Sequence, residues 1–304
     1  MSCPPQRERD MEKIGFVGVG LMGHGMASNL LAAGHPLTVI AHRNRGPVED
    51  LVGKGASEAG SLEELAQASD IVHICAPGSP QVEAIVEVLL AHMAKGGVVV
   101  DCSTSNPVST EMLAGKTEAA GLHWADAPLG GTPAQAETGE LSAMVGANAE
   151  TFARVEPVIA TWAKAIVRIG DPGAGHKMKL LNNFLSLGYG AIYAEALAMA
   201  EKSGVGTEMF DRVIRGSRMD CGFYQTFMGY AVEGNREAHK FTLTNALKDM
   251  RYLTAMADGA GVANPVQGAV KNSLAMAVNT GGDGREDYVP HLVDFVAKAN
   301  GITR

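Results

Sequence analysis

Cysteine is scarce in this chain: four in 304 residues, Cys3, Cys75, Cys102 and Cys221, with no CxxC pair among them. That argues against a zinc ribbon or a disulfide framework and for reduced thiols in a cytoplasmic protein. Aromatic residues make up only 5 %. No apolar run approaches the ~20 uninterrupted residues that a membrane-spanning helix needs. The opening stretch, MSCPPQRERDMEK, is polar and lacks the apolar centre of a signal peptide. Basic runs are missing and the net charge is −8, so nucleic acid is an unsuitable partner and any cationic site for an anion must be local. No His, Cys, Asp or Glu cluster has metal-ligand spacing, and no metal is expected.

What the chain has in quantity is glycine (37) and methionine (15), within a composition that is 46 % hydrophobic and 19 % charged. This is the profile of a globular protein large enough for two cores. From Lys13 to about Ile169, short β runs (KIGFVGV, PLTVIAH, DIVHICA, GVVVDCS, LHWADAP, LSAMVG, AIVRIG) alternate with stretches of helical character. Near-continuous apolar strands separated by helices imply a mainly parallel sheet covered on both faces. The last strands lie close together in sequence, which predicts a mixed edge. After Gly175 the strand signals stop. A long helix is expected from about His176 to Ser203, ended by Gly204, with further helices to the C-terminus. The expected organisation is α/β: a tail over residues 1–12, a doubly wound nucleotide-binding domain over 13–172, and an all-helical domain over 173–304.

The first strand runs into Gly18-Val19-Gly20-Leu21-Met22-Gly23. In such a GxGxxG turn the first glycine permits the tight turn and the second lets the backbone approach a pyrophosphate. The third lets helix and strand pack, leaving the helix N-terminus facing the phosphates. Strand before, helix after and a second strand at the right distance give the motif its weight. That second strand ends His42-Arg43-Asn44-Arg45, with no acid before Glu49. An NAD site carries an acid there for the ribose hydroxyls, whereas arginines suit a 2′-phosphate. NADP(H) is therefore preferred over NAD(H), with Arg43 the better candidate.

Lys179 and Asn183 stand four residues apart in an otherwise apolar helical stretch, so they share a helix face. Hydride transfer to a carbonyl leaves an alkoxide that needs a proton, and a desolvated lysine supplies one near neutral pH. Asn182 and Asn183 offer carboxamides to orient substrate or lysine. Lys177 points elsewhere on the helix, and His176 reads as a helix-start residue. From these residues alone a snorkelling surface lysine competes evenly with a catalytic one.

Several segments together resemble the β-hydroxyacid dehydrogenase family, in the manner of 3-hydroxyisobutyrate dehydrogenases and tartronate semialdehyde reductases. IGFVGVGLMGHGMASNL is similar to the family's N-terminal signature, DCSTSNP to its segment at the nicotinamide end, and DAPLGGTPAQAETGELSAMVG to the segment lining its substrate pocket. KLLNN is similar to its K-x-x-N-N, and KFTLTNALKDM to the helix carrying a cofactor lysine.

The resemblance covers nearly all of Lys13 to Ile302. It implies a Rossmann domain followed by an all-helical, 6-phosphogluconate dehydrogenase-like domain, and an NAD(P)-dependent oxidoreductase interconverting a short β-hydroxy acid and its semialdehyde. Lys179 is then the general acid/base and Asn183 its catalytic partner. Ser103, Gly130, Gly131, Thr132 and Asn182 fall at substrate positions. The glycine turn, His42, Arg43, Asn44, Ala76, Pro77, Gln81, Thr104 and Lys248 fall at cofactor positions. A homodimer or homotetramer built on the helical half is expected.

Two departures stand out. Where the family reads DAPVSGG, with a serine and glycine on the substrate carboxylate, this chain has Gly130, Gly131 and Thr132. A hydroxyl is lost, and Thr132 is a candidate to replace it. After the third strand a leucine-proline pair becomes Ala76-Pro77. A 6-phosphogluconate dehydrogenase would carry histidine where Asn182 stands, and an imine reductase would replace the lysine. The remaining alternatives are a 2-hydroxy-3-oxopropionate reductase and a non-catalytic NADP-binding module.

Overall fold

The structure of the chain, a computed structural model, describes residues 11–284 and 287–303. Two compact units divide it, one ending at His176 and the other starting at Lys177. Residues 1–10 of the expected tail, Cys3 among them, lie outside the described residues. Glu12 at the tail's end is held, its carboxylate accepting from Arg154 Nε at 2.8 Å and Nη2 at 3.0 Å.

In the first unit the chain runs β1 (Ile14–Val17), α1 (Gly23–Ala32), β2 (Leu37–Val39), α2 (Gly46–Gly53), β3 (Ser57–Glu58), α3 (Leu62–Gln67), β4 (Ile71–Ile74), α4 (Ser79–His92), β5 (Val98–Asp101) and α5 (Pro107–Ala119). It continues through β6 (His123–Asp126), β7 (Leu129–Gly130), α6 (Pro133–Glu137), β8 (Leu141–Gly146), α7 (Ala149–Ile159) and β9 (Ala163–Gly170). Among the described residues nine strands form one sheet in the order β3-β2-β1-β4-β5-β6-β8-β7, with β9 also paired to β8. Pairing is parallel from β3 to β6, antiparallel at β6–β8 and β7–β8, and parallel again at β8–β9. This is the doubly wound order 3-2-1-4-5-6 with a mixed edge added, and chain order reverses between β1 and β4. Strands β4 and β5 are buried at every residue, as a strand covered on both faces must be. Separate apolar clusters fill the two sides. One centres on Phe16, Met26, Leu30 and Trp162, the other on Leu65, Val86, Leu89 and Trp124. The strands β3 and β7, two residues each, carry too short a pattern to be seen in sequence. The helices α2 and α7 were likewise not picked out there.

The helix α8 spans Ala174–Lys202, starting two residues before the expected His176. Its 29 residues correspond to roughly 43 Å at 1.5 Å per residue. It begins in the first unit because the buried Asp126 carboxylate at the end of β6 accepts the first-turn amides, Gly173 N–H at 2.6 Å and His176 N–H at 2.8 Å. A carboxylate there meets unpaired N–H groups and the positive end of the helix dipole. Burial pushes the Asp126 carboxyl above its usual range, while His176 and those two amides pull it back. Gly204, at φ +80°, closes the helix in the left-handed conformation.

The second unit takes most of α8 and adds α9 (Thr207–Ile214), α10 (Gly222–Ala231), α11 (Leu243–Gly259), α12 (Pro265–Asn279), a 3-10 turn (Val289–His291) and α13 (Leu292–Ala299). Its core gathers Leu180, Leu187, Ala194 and Leu197 of α8 against Tyr224, Phe227, Leu247, Met250 and Leu274. The helix α10 escapes the sequence reading because its composition, GFYQTFMGYA, is poor in strong helix formers. Cys221, placed by sequence on a helix–helix connection, is its N-cap: the Sγ accepts from Tyr224 N–H at 3.5 Å.

Candidate active site

The glycine turn joins β1 to α1, and its first and third glycines are sterically demanded. A Cβ on Gly18, at φ +100°, would overlap the Cys75 carbonyl, and one on Gly23 would overlap the Gly18 carbonyl. At Gly20 no heavy atom stands within 4 Å of the same position, which leaves room for a ligand against the backbone. Val19 is buried and Leu21 exposed, and Met22 takes the N-cap position without a capping side chain. No acid occupies the first turn of α1. An open glycine and the dipole end of a helix fit the pyrophosphate of a dinucleotide.

The rest of the N-terminal signature has a separate purpose. A Cβ on Gly25 would lie 2.5 Å from the Ala136 carbonyl carbon, and Asn29 Nδ2 donates to Ala136 O at 2.9 Å. These two residues seat α6, the helix just after the pocket turn, directly on α1.

Beyond β2, His42, Arg43 and Asn44 are exposed. Asn44 Oδ1 accepts from Gly46 N–H at 3.2 Å and so caps α2. Arg45 reaches Glu49 at 3.4 Å and Glu58 at 3.1 Å. Arg43 has no carboxylate partner among the described residues.

The loops after β4 and β5 are stitched together. Ala76 N–H donates to Ser103 Oγ at 2.9 Å, and Asn106 N–H to Ser79 Oγ at 2.7 Å. The carboxylate of Asp101 accepts from Ser103 N–H at 2.9 Å and from the Ser105 hydroxyl at 2.8 Å. Ser103 is thus buried, with its hydroxyl engaged in positioning Ala76. Thr104 beside it is half-buried, while Pro77 and Gln81 are exposed at the start of α4.

His176 is more than a helix-start residue. It is fully buried, with Nε2 3.0 Å from Ser103 O and Nδ1 2.8 Å from Thr110 Oγ1. A carbonyl only accepts, so Nε2 carries a hydrogen. The ring ties the Ser103–Thr104 loop to the start of α8. Sequence placed His176 near Lys179 or at the helix start, and had no means of seeing partners 66 and 73 residues away.

In the pocket segment, Gly130 pairs with Ser142 across β7 and β8. The Met144 N–H to Pro128 O bond, 3.1 Å, makes 128/144 a hydrogen-bonded pair, and antiparallel alternation makes 130/142 the next one. The Gly130 amide is therefore engaged in the ladder. Thr132 caps α6 through a capping box with Gln135. Its hydroxyl thus has a structural duty in the cap.

The lysine singled out by sequence and its neighbours lie in the second unit. Asn183 is buried on α8, and its Nδ2 donates to Asp249 Oδ2 at 2.7 Å. Asp249, on α11, is buried as well, with Oδ1 3.3 Å from Lys248 Nζ, and that ammonium lies 5.4 Å from the centre of the Tyr252 ring. Burial lowers the Lys179 pKa, the Asp249 charge works against this, and Lys248 adds to it. Asp249 moves the other way: burial raises its pKa against Lys248, Lys179 and the Asn183 amide. His239 lies near enough to Lys179 that burial and the ammonium together depress its pKa. A lysine with a lowered pKa, its counter-charge held by an asparagine, gives up a proton more readily than an exposed one. Asn182 is exposed. Sequence reading noted Asp249 only as the neighbour of Lys248 and passed over His239. The Lys248-Asp249 pair within an apolar run was the available signal for the former, and His239 carried none.

Among the described residues no group of three or more His, Cys, Asp or Glu is placed to hold a metal ion. Likewise no helix there is long and apolar enough to cross a membrane.

Comparison with known proteins gives the family. Residues 13–170 match the family model for the NAD-binding domain of 6-phosphogluconate dehydrogenase. Residues 173–291 match the model described as NAD-binding of NADP-dependent 3-hydroxyisobutyrate dehydrogenase. The chain is 30 % identical to 3-sulfolactaldehyde reductase of Escherichia coli over 296 residues, covering 96 % of this chain and 98 % of the relative. It is 32 % identical to 3-hydroxyisobutyrate dehydrogenase of Pseudomonas aeruginosa over 88 % of this chain and 92 % of that one. A solved Mycobacterium tuberculosis 3-hydroxyisobutyrate dehydrogenase with L-serine superposes with a TM-score of 0.83 at 25 % identity, covering 93 % of this chain and 99 % of that one. The chain belongs to the β-hydroxyacid dehydrogenase family and is an NAD(P)-dependent oxidoreductase acting on CH–OH groups.

Proposed function

We propose that the chain interconverts a short β-hydroxy acid, of the 3-hydroxyisobutyrate kind, and its semialdehyde, with NADP(H) preferred over NAD(H). The observation that carries this reading is the half-buried Lys179 in the field of the buried Asn183–Asp249 pair. The nicotinamide, when bound, supplies or accepts the hydride. In reduction, Lys179 gives an Nζ proton to the carbonyl oxygen as the carbon is reduced, and the neutral amine recovers a proton from solvent. In oxidation, the neutral amine removes the hydroxyl proton. Asn183 and Asp249 fix the amine's position and limit how far its pKa falls. Ser103, Ala76 and Thr104, held by His176, shape the site on the first unit. The relatives' names, a sulfolactaldehyde reductase and a hydroxyisobutyrate dehydrogenase, share a short carbonyl or hydroxyl compound bearing an acid group, which supports a small anionic substrate. The test is a panel of short β-hydroxy acids and semialdehydes, 2-hydroxy-3-oxopropionate among them, run with NADP and with NAD. Turnover on at least one carboxylate is expected. Stoichiometric NADPH binding with no turnover on any member favours the non-catalytic module instead.

The preference for NADP rests on Arg43, exposed and without a carboxylate partner, at a strand end that has no acid. Replacing Arg43 with Ala is expected to weaken NADP binding by about ten-fold or more, the worth of a charge-assisted hydrogen bond, and to leave NAD binding nearly unchanged. Equal loss for both cofactors counts against the 2′-phosphate assignment.

A homo-oligomer is proposed from α8, where Leu181, Leu185, Tyr189, Ile192 and Met199 form an exposed apolar stripe at helical spacing. Light scattering is expected to give at least twice the chain mass, and a concentration-independent monomer mass refutes it. The half-buried Cys75 and buried Cys102 thiols also fit a reducing cytoplasm. Burial pushes Cys75 up to about 12 and raises Cys102 as well, so neither is a ready thiolate.

A further inference from the structure

We propose that His24, as an imidazolium bridging Asp50 of α2 and Glu137 of α6, is a positioning residue of the cofactor site, and that its proton makes dinucleotide affinity fall as pH rises. The inference rests on the NAD(P) chemistry of the family and not on the choice of substrate. His24 is the second residue of α1. Its amide donates to Gly20 O at 3.0 Å, which links it directly to the glycine left open for the pyrophosphate. Its ring lies between two other helices, with Nε2 2.7 Å from Asp50 Oδ2 and Nδ1 2.9 Å from Glu137 Oε1. A neutral imidazole has a single N–H and turns a lone pair on one of these oxygens. Only the imidazolium donates to both.

Both arms of the bridge end beside segments already singled out. Asp50 stands one turn into α2, the helix that Asn44 and Arg45 start immediately after Arg43. Glu137 ends α6, the helix that Thr132 of the pocket segment caps. The charged groups that face the ring are Glu137 from α6 and Asp50 from α2, and Lys54 Nζ lies 2.6 Å from the same Asp50 oxygen. With the ring protonated, the two cations balance the two carboxylates. Without that proton a net negative charge is left beside the first turn of α1, where the phosphates approach, and one bond of the bridge becomes a repulsive contact. Desolvation lowers the His24 pKa, but the hydrogen bonds and charges of Glu137 and Asp50 outweigh it, and the net shift is upward from 6.5. The bridge is therefore complete below 6.5 and is lost as pH rises through the raised value.

The test is binding of NADPH and of NADH to the full chain, followed by nicotinamide fluorescence between about pH 6 and about pH 9, where a histidine titrates. In wild type the Kd is expected to rise about three- to ten-fold through one ionisation above 6.5, the effect of one uncompensated charge near a solvent-facing anion. His24→Gln cannot carry the charge and is expected to bind at every pH as wild type does at high pH. His24→Arg stays charged, has donors for both carboxylates, and is expected to bind across the range as wild type does at low pH. Glu137→Gln removes one counter-charge and is expected to move the ionisation to lower pH, a shift that a packing role does not produce. The 2′-phosphate of NADPH titrates in the same range, but equally in every variant, and NADH has none. A ratio of His24→Gln to wild-type Kd that does not change with pH overturns the proposal. So does a His24→Arg variant as weak as His24→Gln, because shape rather than charge then explains the loss. No substrate is used, so failure here leaves the hydroxyacid reading intact, and failure of that reading leaves this result standing.

Discussion

Lys179→Ala is expected to cut turnover by roughly 10²–10⁴, the usual worth of a positioned general acid or base. Cofactor affinity is expected to stay close to wild type, because the glycine turn and Arg43 belong to the other unit of the chain. The size of the effect follows from the surroundings of Lys179. Burial has brought its pKa down, and Asp249 stops it from falling freely. An amine placed in this way gives up its proton to a developing alkoxide more readily than an exposed lysine. Truncating it leaves the alkoxide to water and leaves the Asp249 carboxylate without one of its two neighbouring ammoniums. A variant that turns over at the wild-type rate sinks the assignment of Lys179. Lost cofactor binding in the same variant points instead to a structural role.

The second large effect concerns stability in acid. His73 lies in the middle of β4 with no exposed surface, stacked on Phe16 at 5.7 Å between ring centres and edge-on to Trp162 at 6.2 Å. Neither ring nitrogen has a hydrogen-bond partner among the described residues. Burial, with a smaller contribution from His35, lowers the pKa from 6.5 to about 3. The folded protein thus holds His73 neutral where the unfolded chain binds a proton. The full stability is present above the unfolded value of 6.5 and is lost as pH falls toward about 3. At 1.36 kcal/mol per pKa unit this loss amounts to ~5 kcal/mol, comparable to the whole stability of many domains. His73→Phe keeps the stack and removes the proton. Its unfolding free energy is expected to fall less steeply with acid than that of wild type, by about 1.4 kcal/mol per pH unit across the window. Denaturant titrations at several pH values measure the two slopes, and parallel slopes rule the explanation out.

Much of the fold could be read from the sequence because it is written in local patterns. Nearly continuous apolar strands such as IVHI and VVVD announce a sheet covered on both faces, and Gly18, Gly20 and Gly23 announce the turn that holds a pyrophosphate. The mixed edge was legible from the short spacing of the last strands, though not the two-residue β7. Lys179 and Asn183 could be paired because four residues make one helical turn. The partners that give these residues their chemistry are distant in sequence. Asp249 meets Asn183 across 66 residues through the packing of α11 on α8, and His176 meets Ser103 across 73. Ser142 comes beside Gly130 through strand register, which shows only once the strands are paired. His73 looks like any polar intrusion in a strand, and nothing local says that both of its nitrogens end without a partner. Periodicity thus located the backbone and the ends of elements, while the electrostatics of the site came from contacts that periodicity does not encode.

The account turns on the proton that Lys179 carries, and the pH dependence of kcat for semialdehyde reduction tests this most directly. Reduction needs the protonated amine, so wild-type kcat is expected to fall as pH rises through a single ionisation below lysine's ordinary 10.5. Oxidation of the hydroxy acid is expected to rise through the same ionisation. In Lys179→Ala the residual rate is expected to lose that ionisation in both directions. An unchanged ionisation in the alanine variant would contradict the account, because some other group would then be moving the proton.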